Sequence, residues 1–175
     1  MMITRKIAFG SACALVASSL LFVGGTAEAR QGVIKARGTN GVVTAVRGPN
    51  GTTGARARGT VRNEDGSLTR ASGGAWRNAN GGTSVRGATT TVNPDGSGTR
   101  TSSAYASGAR GTASSSGTLS RDAEGNWTGN RNSTATNAAT GNSYSGSVSI
   151  DPATGQPVRT ATCTDASGTV IACPR

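Results

Sequence analysis

The sequence predicts an all-β protein, a repetitive antiparallel β-meander built from strand-turn units of about 15 residues, with an N-terminal signal helix ahead of it. Three observations predict this. Glycines recur at Gly51, Gly66, Gly81, Gly96, Gly111, Gly125, Gly141, Gly155 and Gly168, in steps of 15, 15, 15, 15, 14, 16, 14 and 13. Many follow Asn or Asp, as in Pro49-Asn50-Gly51, Glu64-Asp65-Gly66, Asn80-Gly81 and Pro94-Asp95-Gly96, and such pairs supply the positive φ of hairpin turns. The segments between the turns are rich in Thr and Val, whose branched Cβ suits a pleated surface, for example Ala88-Thr89-Thr90-Thr91-Val92 and Ser145-Gly146-Ser147-Val148-Ser149-Ile150.

The first element is a secretory signal peptide over 1–29. Arg5 and Lys6 form its basic start, Ile7 to Val23 is an uncharged apolar run, and Ala27-Glu28-Ala29 offers small-x-small cleavage after Ala29. No second long apolar run follows, so no membrane span is expected after its removal. The expected location is secreted or periplasmic, with retention at the outer surface of a Gram-negative cell as an option.

The remaining 146 residues, 30–175, read as a single β-rich region. They contain only 19 Val, Ile, Leu, Trp and Tyr residues, too few for a conventional packed core. Composition alone would suit a disordered cationic chain, but disorder gives no reason for a turn every 15 residues. A longer period overlies the first. Asp65-Gly66-Ser67-Leu68-Thr69-Arg70 and Asp95-Gly96-Ser97-Gly98-Thr99-Arg100 match at five of six positions, 30 residues apart. The unit is therefore a 30-residue pair of strands, either a hairpin closed by two-residue loops or one coil of a β-solenoid, and the short turns favour the hairpin.

The last element, 156–175, is expected to be a hairpin closed by a disulfide between Cys163 and Cys173, across the turn Asp165-Ala166-Ser167-Gly168. A metal or redox pair would need closer cysteines or histidines, and the chain has no His.

The chemical inventory excludes most enzymes. Without His no Ser-His-Asp or Cys-His arrangement is possible, and the seven acids after residue 29 fall at predicted turns, where Asp and Glu act as turn formers. No catalytic residue, cofactor or metal site is expected. Asn63-Glu64-Asp65-Gly66-Ser67 and Asn93-Pro94-Asp95-Gly96-Ser97 share a little with calcium loops but lack the distal Glu.

Arginine is the one constellation with physical content. The segment after residue 29 carries 16 basic residues against 7 acids, a net charge of +9, and Lys35 is its only lysine. Arg47 and Arg56 bracket Gly51, Arg62 and Arg70 bracket Gly66, and Arg77 and Arg86 bracket Gly81, so that symmetric hairpins would set each pair across from one another. Paired guanidinium groups suit phosphate, sulfate or carboxylate. The competing role is to guard flat strands against edge-to-edge aggregation. Trp76, Tyr105, Trp127 and Tyr144 are too scattered for a base-stacking platform and are expected to anchor the sheet.

In Asp65-Gly66-Ser67, Asp95-Gly96-Ser97, Thr140-Gly141-Asn142-Ser143-Tyr144 and the ending from Cys163 to Cys173, the chain resembles uncharacterised secreted Gly/Ser/Thr-rich repeat proteins of Gram-negative bacteria. It is similar in style to curli-type fibre subunits, without their regular Gln/Asn ladder positions. The resemblance is compositional and carries over no functional residue. The expected function is non-enzymatic: a structural or adhesive surface or matrix protein, with possible self-association. Its first alternative is a cationic protein binding lipopolysaccharide, extracellular DNA or acidic polysaccharide. A further alternative is a disordered chain that folds on a partner.

Overall fold

The computed structural model describes residues 32–173. The expected signal segment with its cleavage after Ala29, and Arg175, lie outside the described residues. Eleven strands follow one another: β1 Gly32–Gly38, β2 Gly41–Arg47, β3 Thr53–Arg62, β4 Leu68–Arg77, β5 Thr83–Val92, β6 Gly98–Gly108, β7 Gly111–Arg121, β8 Trp127–Asn137, β9 Ser143–Ile150, β10 Pro157–Thr164 and β11 Val170–Ile171. They form one sheet in chain order, and every pairing is antiparallel. The fold is thus an open meander and not a solenoid, whose equivalent strands would stack in parallel. Apart from a 3-10 turn at Pro49–Gly51, no helix occurs among the described residues, and none there is long and apolar enough to cross a membrane.

All nine glycines of the 15-residue beat have positive φ, between 68° and 132°. Most loops are not the expected two-residue turns; the exceptions are Thr39-Asn40 between Gly38 and Gly41 and Ala109-Arg110 between Gly108 and Gly111. In the repeated form, Gly66 N–H donates to Asn63 O at 3.0 Å and Asn63 N–H donates to Ser67 O at 2.8 Å. This is a three-residue loop, a type I turn followed by a left-handed glycine that forms a bulge, and it recurs at Asn78–Gly82, Asn93–Ser97, Asp122–Asn126 and Asp165–Thr169. An L side chain at the glycine would be strained, which accounts for the beat.

The acids belong to these loops. Asp65 Oδ1 accepts from the Ser67 hydroxyl at 2.7 Å and from Ser67 N–H at 2.9 Å, and Asp95 does the same with Ser97. Both carboxyls are held below their usual range, chiefly by the serine hydroxyl and then by its backbone N–H. Asp122 is lowered by the Asn126 side chain and backbone, and Asp165 by the Ser167 hydroxyl and Thr169 N–H.

The sheet is a single layer, with Ala55, Ala75 and Cys163 as its only buried apolar residues among those described. Cohesion therefore rests on the backbone ladders and on cross-strand hydroxyl contacts such as Ser114–Thr134 at 2.7 Å and Ser147–Thr160 at 2.7 Å. A disulfide joins Cys163 to Cys173 and closes the β10–β11 end, as the cysteine spacing predicts.

Candidate anion-binding face

Directly paired residues of an antiparallel sheet project to the same face, so the register sorts every strand residue onto one of two faces. One face holds Lys35, Arg37, Arg56, Arg58, Arg62, Arg70, Arg86, Arg100, Arg121, Arg131 and Arg159, which is eleven of the thirteen strand cations. The other face carries only Arg47 and Arg77, each the last residue of its strand. Its remaining positions are largely Thr, Ser, Ala and Gly, as along β7 (Thr112, Ser114, Ser116, Thr118 and Ser120). Among the described residues no carboxylate stands on a strand, and six of their seven acids lie in the loops at one end of the sheet, with Asp165 at the other.

The cations occupy rungs that run across the strands. Lys35, Arg56 and Arg86 share one rung, separated by Thr44 and Gly74. Arg70 and Arg100 share another, separated by Thr90, whose hydroxyl accepts from Arg100 at 3.2 Å. Arg37, Arg58, Arg131 and Arg159 lie on the rung between these two. No two cations are direct cross-strand partners, so neighbours on a rung stand at least about 10 Å apart at a strand spacing of ~4.8 Å. Small residues make the room between them. A Cβ at Gly74 would sit 3.4 Å from Arg56 Cβ, and one at Gly117 would sit 3.0 Å from Arg131 Cβ. This cationic face curls around a hollow of about 520 Å³ lined by Lys35, Arg56, Arg58, Arg86, Arg100 and Arg131.

The three expected arginine pairs fare differently. Arg47 pairs with Thr53 and Arg56 with Thr44, so Arg47 and Arg56 face opposite ways. Arg77 pairs with Thr83 and Arg86 with Gly74, with the same result. Arg62 and Arg70 do share the cationic face, as diagonal neighbours across Leu68 and Thr60. The reason is turn geometry: the glycine ends each loop, and the mirror line of the pairing passes through the residue before it, at Asn50, Asp65 and Asn80. Arg47 and Arg77 therefore leave the expected set, and the face adds Lys35, Arg37, Arg58, Arg100, Arg121, Arg131 and Arg159, which glycine symmetry does not single out.

Along the opposite end of the same face runs an apolar rung. Val46, Gly54, Trp76, Ser84, Ala106 and Ala113 are successive partners, and the rung continues through Ala135 and Tyr144 to Cys163 and Ile171. It borders a second hollow of about 1020 Å³, lined along the rung by Trp76, Ala113, Ala135 and Tyr144 and toward the loops by polar residues that include Arg77 and Arg110. The aromatic anchors predicted from sequence are only partly so: Trp76 lies against Gly54, and Arg121 sits 5.9 Å over the Trp127 ring, but Tyr105 is 48% exposed on the opposite face. No group of His, Cys, Asp and Glu suited to a metal occurs among the described residues. No protein-family model, curated protein or solved structure matches this chain.

Proposed function

We propose that this is an exported, non-enzymatic protein that grips a polyanion through its curled cationic face, and that this grip is how it serves as a structural or adhesive component of the cell surface or matrix. The observation that carries the reading is the segregation of eleven of thirteen strand cations onto one face with no carboxylate among them. Charges that only guarded strand edges would concentrate on edge strands, where unpaired backbone is exposed. Here Arg56, Arg58, Arg70, Arg86, Arg100 and Arg131 sit on interior strands, where the backbone is already paired on both sides.

The partner class is lipopolysaccharide, extracellular DNA or acidic polysaccharide. Export by cleavage after Ala29 belongs to the same reading, and the disulfide is compatible with it. The 30-residue hairpin is the unit that repeats the cationic rungs. The test is titration of 30–175 with heparin at a series of salt concentrations. Neutralising several cations at once releases counterions, so affinity should fall steeply with salt. Absence of binding at low salt would overturn the reading.

A further inference from the structure

We infer that the cationic face takes single molecules of an anionic amphiphile, with a phosphate-bearing head on the arginine rungs and an apolar chain along the Trp76–Tyr144 rung; this rests on the polyanion reading above. A polymer of charge alone would need only the arginines. The face instead changes character within one step along the strands: Arg56 and Arg86 are two residues from the apolar rung, about 7 Å.

That rung is not the filled seam of a core. Trp76 is half-buried, Tyr144 is 39% exposed, and Ala106 and Ala113 are exposed. The hollow beside them, about 1020 Å³, is at the upper end of what small-molecule sites enclose. Along the rung its small side chains leave room and Trp76 and Tyr144 supply flat apolar walls, while Arg77 and Arg110 stand at its loop end. Six cations line the hollow over the rungs, against Arg77 and Arg110 at the loop end of the apolar one, and this imbalance orients the occupant. A head of more than one negative charge is drawn to the cationic rungs, and the acidic loops beyond them, at Glu64, Asp65, Asp95 and Asp122, repel it from going further. Because the face is curled, an individual amphiphile fits it better than a planar bilayer does.

The chain with Trp127→Phe keeps Trp76 as its sole tryptophan after residue 29 and reports on the rung directly. Titration with dodecyl phosphate below its micelle concentration should give a saturable blue shift of Trp76 emission. Inorganic polyphosphate should bind at low salt without that shift, and dodecyl maltoside should give none. The double variant Ala113→Asn with Ala135→Asn, which changes no charge, should weaken dodecyl phosphate by about tenfold and leave polyphosphate unchanged. A shift seen only with anionic phospholipid vesicles would replace the single-molecule site with a membrane surface and overturn the inference. So would the absence of a shift, or equal loss of both ligands in the double variant. If polyphosphate itself fails to bind, the polyanion reading falls first and the amphiphile site with it.

Discussion

Trp76 stands directly across the β3–β4 ladder from Gly54, and its ring lies where a Cβ on that glycine would go. The aromatic thereby covers a strand position that has no side chain of its own and shields the backbone there, one way in which a sheet this poor in large apolar residues holds its register. Gly54→Ala should consequently force the ring aside and cost about 1–3 kcal/mol. Gly38→Ala, where nothing lies within 4 Å of the new methyl, should be nearly neutral. Thermal unfolding of both, and of Gly54→Ala in a Trp76→Ala background, measures the coupling. An unchanged cost in that background would show that the ring is not the obstacle.

The carboxyls of Asp65, Asp95, Asp122 and Asp165 are depressed by hydrogen bonds made in the fold. A group whose folded pKa is lowered stabilises the fold above its unfolded value, about 3.9 for Asp, and loses that contribution as pH falls through the folded value. Melting temperature should hold from neutral pH to about 5 and then decline below about 4. The decline should be shallower in Asp65→Asn with Asp95→Asn. An identical acid limb in that variant would remove these turns as its cause.

Reduction of the Cys163–Cys173 bond, which closes a loop of sequence separation 10, should cost about 2–3 kcal/mol. Cys163→Ser with Cys173→Ser should match the reduced protein. Hydrogen exchange would place the loss at β10 and β11, whose pairing comprises only Cys163 with Ile171 and Thr164 with Val170. Loss spread evenly over the sheet would contradict a local staple.

The glycine beat made the meander legible, because each left-handed loop position needs a residue without a Cβ, and one recurs at every turn but the first, Thr39-Asn40. The cationic face was less legible, since a face is a matter of parity. From β2 to β6 the pairing axes are 15 residues apart, so even-numbered residues keep one face throughout, and Arg56, Arg58, Arg62, Arg70, Arg86 and Arg100 are all even. Between β6 and β7 the two-residue loop shifts the register by one, and Arg121 and Arg131 join the same face as odd-numbered residues. A glycine alone does not say whether it sits in the middle or at the end of its loop, and that single residue decides which arginines share a face.

In the proposed function the arginines act by face and not by total charge. The most direct measurement compares heparin affinity of Arg56→Gln with Arg86→Gln, both on the curled face, against Arg47→Gln with Arg77→Gln on the opposite one, two doubles that remove the same charge. The larger loss is expected for Arg56 and Arg86, with the slope of log affinity against log salt reduced by up to about two contacts, while the Arg47 and Arg77 double stays close to the parent. Equal losses and equal slopes would contradict it.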